Sequence, residues 1–100
     1  MKVALGIEYD GSSYCGWQYQ DGVSTVQAVV EDALSRVANT SVRVITAGRT
    51  DTGVHATCQV AHLHTEVIRS EYSWVRGTTR YLPDDVTVLW AKLVDDDFHA

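Results

Sequence analysis

The hydrophobic residues of this chain switch period along its length, and the order of the switches leaves few folds open. "KVALGIEYD" alternates, with Val3, Leu5, Ile7 and Tyr9 on one face and Ala4, Gly6 and Glu8 on the other. That is the period of a strand. Beyond a Gly-rich stretch, Val26, Val29, Val30, Ala33, Leu34 and Val37 recur at spacings of three and four, the stripe of an amphipathic helix. Ser24 with Gln27 three residues on predicts a capping box at its start, and Asn39 suits its end. "VRVITA" and "TCQVAHLHT" predict two more strands. "SEYSWVRGTTRYL" predicts a second helix, capped by Ser70, with Trp74, Val75, Thr78, Tyr81 and Leu82 on one face. Gly77 weakens it and Pro83 ends it. In "DDVTVLWAKLV" the alternation sets Val86, Val88 and Trp90 against Thr87, Leu89 and Ala91, a final strand.

Strand, helix, strand, strand, helix, strand is the βαββαβ order of the ferredoxin-like fold. The expectation is one α+β domain over residues 1–100, a four-stranded antiparallel sheet with two helices on one face. Its other sheet face is left open, and the fold by itself names no function.

Composition narrows the setting. The longest apolar runs are a few residues, too short to span a membrane, and Glu8 and Asp10 interrupt the segment where a signal peptide would continue. Cys15 and Cys58 form no CxxC motif. Free thiols and a cytoplasmic, reducing setting are the default reading, with one disulfide left open. A net charge of −5 is unlike a freestanding nucleic-acid binder. The acids are uneven, however: Asp84, Asp85, Asp95, Asp96 and Asp97 crowd the last fifth, whereas Arg49, Arg69, Arg76 and Arg80 lie in the middle. A local basic surface is compatible with the acidic total.

The stretch "AGRTDTGVHA" interrupts the apolar pattern directly after the second predicted strand. Its glycines permit a sharp turn and close approach. Arg49, two residues from Asp51, would hold that carboxylate ionised, as a nucleophile or general base requires. The plainer alternative is an Asp that caps a turn beside a solvated Arg. Asp51 with His55, His62 and His64 could form a metal site for a hydrolase, but the spacing matches no strong zinc signature. Tyr14, Trp17 and Tyr19, interleaved with Gln18 and Gln20, suit stacking on bases. Closing the edge of the core is the commoner use of such rings.

"YDGSSYCGWQYQ", "TVQ", "AGRTDTGVHA", "QVAH", "LPDDV" and "DDFHA" occur in that order. Together they resemble the N-terminal half of the TruA-type tRNA pseudouridine synthases, over nearly the whole chain. The resemblance implies a duplicated ferredoxin-like fold, homodimers, no metal and no organic cofactor. It implies isomerisation of uridine to pseudouridine in the anticodon stem-loop of tRNA. Asp51 then matches the catalytic Asp, and Arg49 the Arg that extrudes the target base and pairs with that Asp. Gly53 and His55 match fixed motif positions that shape the loop. Thr50, Tyr14, Trp17 and Gln18 are taken as further substrate-binding positions. Tyr19 stands where Arg is common in the family, Cys58 where Gly is usual, and Thr79 where Asn is common. The family's second half, which supplies the Tyr that stacks on uracil, is expected to be absent. The chain alone is then expected to be inactive, and an apolar sheet face, uncovered, to drive self-association. The alternative reading is a non-catalytic ferredoxin-like module that binds RNA or a protein partner.

Overall fold

A computed structural model describes residues 1–46 and 48–97. Ala47 and the closing Phe98, His99 and Ala100 of "DDFHA" lie outside the described residues. Four strands, β1 (Lys2–Tyr9), β2 (Ile45–Thr46), β3 (Ala56–His64) and β4 (Val86–Val94), form one sheet in the order β2-β3-β1-β4. Every neighbouring pair is antiparallel. α1 (Val26–Ala38) precedes β2. A helical segment made of a π-helical turn (Ser73–Gly77) and α2 (Thr78–Tyr81) precedes β4. The expected α+β arrangement of four antiparallel strands and two helices is present.

The core lies between the sheet and the helices. Val3, Leu5 and Ile7 of β1, Ala61 and Leu63 of β3, and Val86, Val88 and Ala91 of β4 meet Val26, Val30, Ala33 and Leu34 of α1 and Trp74. α1 starts one residue later than the sequence suggested. Thr25, not Ser24, is its N-cap, and its side chain accepts from Ala28 N–H. Gln27 makes no capping box; it accepts from Tyr19 N–H and donates to Glu31. Asn39 closes the helix in the left-handed region, at φ 58°, as expected of a C-terminal Asn. Ser70 accepts from Ser73 N–H at the head of the second helical segment.

Two strand expectations need correction. "VRVITA" pairs as a strand only at Ile45–Thr46. The Val42 N–H is taken by Ser35 Oγ and the Val44 N–H by Glu31 Oε2, each at 2.9 Å. Side chains of α1 thus take donors that a longer strand would use in its ladder. In β4 the pairing with β1 slips between Gly6 and Ile7, with Gly6 opposite Trp90 and Ile7 opposite Val88. Leu89 is the extra residue of this bulge, which reverses the side-chain alternation. Trp90 therefore lies over Gly6, and Ala91 enters the core instead.

The expected apolar open face is only partly apolar. Pairing sets Lys2 beside His64 and Ala4 beside both His62 and Lys92, and Trp90 covers Gly6. Three of the large exposed apolar groups lie on β4, at the sheet edge: Leu89, Trp90 and Leu93. No helix among the described residues is long and apolar enough to cross a membrane.

Candidate active site

Two loops meet at the end of β1. One runs from Asp10 to Trp17, the other from Gly48 to His55. The first buries Gly11, Tyr14, Gly16 and Trp17; the second exposes nearly all its side chains. Their backbones fit so closely that side chains are excluded at two points. A Cβ on Gly16, whose φ is +84°, would lie 2.6 Å from the Thr50 carbonyl oxygen. One on Gly11 would lie 1.9 Å from the Val54 carbonyl oxygen. Only glycine permits such contact.

Hydrogen bonds fasten the same junction. Trp17 N–H donates to the Thr50 carbonyl at 3.0 Å, and Gly53 N–H to the Tyr14 carbonyl at 3.2 Å. The Tyr9 and Thr50 hydroxyls are 2.6 Å apart. Gly11 N–H donates to His55 Nδ1 at 2.9 Å, and Gln59 donates to the Gly48 carbonyl. The exposed loop is thereby fixed through its backbone and the side chains of Thr50 and His55, and the side chains of Arg49 and Asp51 are left in solvent. Among the described residues the Asp51 carboxylate has no hydrogen-bond or ion-pair partner.

The anticipated ion pair of Arg49 with Asp51 is not formed. Both side chains are exposed, where a single pair gains too little to hold two flexible groups together. Arg49 instead lines a cavity of about 220 Å³ with Trp17, Gln18, Gln27, Val44, Ile45 and Thr46. His55 lines another, of about 440 Å³, with Glu8, Asp10, Asp84 and Asp85. One side of the loop is thus cationic and the other acidic. His55 Nδ1 also lies 3.1 Å from Asp10 Oδ1. A neutral ring accepts the Gly11 proton at that nitrogen; a protonated ring donates from it to Asp10. Hydrogen bonds from the Ser12 side chain and backbone hold the Asp10 carboxyl below its usual range, with His55 adding a smaller effect.

Other substrate-facing expectations change. Tyr14 and Trp17 are 5% and 2% exposed, so neither ring is free to stack on a base. Trp17 packs on Tyr9, with ring centroids 6.1 Å apart. Tyr14 donates to Asp85 Oδ1 at 2.7 Å, and burial, reinforced by that bond, pushes its hydroxyl well above the ordinary tyrosine range. Thr50 and Gly53 serve the junction through the bonds above, whereas Gln18 is exposed beside Arg49. Tyr19 is also exposed and donates to Asp21. His62 and His64 stand edge to face on β3. Among the described residues no three His, Cys, Asp or Glu side chains gather to hold a metal ion. Cys15 and Cys58 are free thiols. Sequence reasoning missed Tyr9, Gly11, Gly16 and Asp85. The glycines of "YDGSSYCGWQ" were the available signal, since each sits opposite the backbone it must admit.

Comparison with known proteins decides the family. A family model described as tRNA pseudouridine synthase matches residues 6–100.

The chain belongs to the tRNA pseudouridine synthase family.

It is 62% identical over all 100 residues to the tRNA pseudouridine synthase A of Shewanella woodyi, 38% of whose length is covered. The protein of the same name from Nitrosomonas eutropha is 57% identical over the whole chain, with 36% of its length covered. That of Coxiella burnetii is 58% identical over 99 residues, again across 38% of its length. This family member thus spans well under half of the relatives it matches, and its stretch from Gly48 to His55 falls within the matched region.

Proposed function

We propose that the complete protein isomerises uridine to pseudouridine in tRNA, at the anticodon stem-loop, with Asp51 as nucleophile or base. The observation that carries this reading is an exposed, unpaired carboxylate on a loop whose backbone is locked by a second loop. Such a group is held in place yet free to meet a substrate. Isomerisation requires the bond from ribose C1′ to uracil N1 to break, the base to turn, and C1′ to join uracil C5. The C5 proton is lost and N1 regains one, so nothing is consumed. Asp51 can attack C1′, or take the 2′ proton to give a glycal. The uridine must first leave its stack, at a cost of about a few kcal/mol. Arg49, on the cationic side of the loop, is suited to fill the vacated space and to meet phosphate. The acidic cavity around His55 repels phosphate, so the phosphates nearest the loop are expected on the Arg49 side.

The segments that complete catalysis belong to the remaining length of the relatives, so the 100-residue chain is expected to turn over poorly by itself. The exposed Leu89, Trp90 and Leu93 support a covering partner, either that remaining part or a second copy. The free thiols support a cytoplasmic setting. Tritium release from 5-tritiated uridine in tRNA tests the assignment in the complete protein. Asp51→Ala should abolish release, and Asp51→Asn should do the same with the shape preserved. Release at the parent rate from either variant removes Asp51 from the chemistry.

A further inference from the structure

On the helix side of the molecule lies a groove of about 960 Å³, and Arg36, Arg69, Tyr72, Arg76, Arg80 and Tyr81 are among its walls. Four of the chain's eight Lys and Arg residues therefore converge on one hollow of a protein whose net charge is −5. Among the described residues no Asp or Glu lines it. Among the described residues the one carboxylate engaged with these arginines is Asp32, 3.2 Å from Arg36 in an exposed pair, which neutralises little.

The arginines are organised. Arg36 lies over the Tyr81 ring at 5.6 Å and Arg76 over the Tyr72 ring at 5.9 Å. A guanidinium face on an aromatic ring leaves its N–H edge available to an anion. Arg69 is anchored by donating to the carbonyls of Val37 and Ile68. Arg80 has no partner among the described residues. Tyr72, Arg76 and Arg80 follow one another at spacings of four, and so share one side of the helical segment. Clustered like charges are unfavourable unless an anion meets them. A hollow of this volume, with several separated cations and two exposed rings, suits a run of phosphates better than a single one.

We propose that this groove docks the sugar-phosphate backbone of tRNA, apart from the loop that carries Asp51. The proposal rests on the reading that tRNA is the substrate. Its lining shares no residue with the Arg49 cavity, whereas Thr87 lines both it and the His55 cavity. The groove thus adjoins the acidic side of the site, where the loop itself offers no cation, and supplies an anchor there.

The test is fluorescence anisotropy of the chain with an unmodified tRNA transcript across a salt series. Arg76→Glu with Arg80→Glu should weaken binding about tenfold or more and lower the salt slope by roughly one to two. Arg76→Lys with Arg80→Lys should keep the parent slope. Should the double reversal unfold by circular dichroism, Arg36→Gln reads the same groove from α1 and should weaken binding in the same direction. Parent affinity and slope in these charge variants overturns the proposal, as does a parent chain that binds no tRNA. Unchanged RNA binding with self-association lost in sedimentation assigns the groove to a second copy instead. Tritium release by Asp51 variants is a separate readout, so failure of the catalytic reading leaves the groove measurement standing.

Discussion

The two loops at the candidate site have similar glycine content and opposite physics. The loop from Asp10 to Trp17 buries its largest rings and places its glycines where another backbone passes. The loop from Gly48 to His55 buries almost nothing and offers its charges to solvent. One holds and the other presents. The difference teaches that the carboxylate's position is set by groups that are themselves mostly withdrawn from solvent.

Mutations on the two sides should therefore fail in different ways. The largest stability effect belongs to Trp17→Ala, which empties a buried site and should cost about 3–5 kcal/mol in a denaturant titration. Gly16→Ala comes next: the strain of a left-handed residue and its overlap with Thr50 should cost about 2 kcal/mol and lower turnover together. By contrast Asp51→Ala should stay within about 0.5 kcal/mol of the parent while losing turnover. A large stability loss in Asp51→Ala would erase the distinction between the loops.

Tyr14→Phe sharpens it further, at about 1–2 kcal/mol for the lost bond to Asp85. The folded Tyr14 hydroxyl titrates above its ordinary 10.0, so its contribution is complete below that pH and declines as pH rises beyond it. Thermal midpoints should accordingly fall faster with alkali in the parent than in Tyr14→Phe. The smallest effect is expected from Asp10→Asn. The folded Asp10 carboxyl lies below its ordinary 3.8, so its contribution is present above that pH and is lost as acid protonates it. The variant should lose less stability than the parent between about pH 5 and pH 2.

The element order was legible in the periodicity of the apolar residues, because each strand and helix buries a continuous stripe. The failures have two causes, a distant group that outcompeted the local pattern and a local slip in pairing. Ser35 and Glu31 claimed the amides of Val42 and Val44, and the bulge at Leu89 turned Trp90 to the other face. Asp51 was legible as a charge between glycines. Its missing bond to Arg49 was not, because sequence proximity does not reveal how little an exposed pair gains. The burial of Tyr14 and Trp17 was equally hidden, since a polar, Gly-rich stretch reads as surface unless its partner loop is known.

The three tryptophans lie in three different settings. Trp74 is fully buried on the inner side of the second helical segment, Trp17 is 2% exposed at the loop junction, and Trp90 is 39% exposed on the sheet edge. Their fluorescence therefore divides by place: two indoles emit from dry surroundings, and the third is open to a dissolved quencher. A partner settling on the β4 edge would shield Trp90 alone, whereas opening of the loop junction would wet Trp17. The molecule carries its own optical reporters for assembly and for integrity of the site, distinguishable by replacing one ring at a time with phenylalanine.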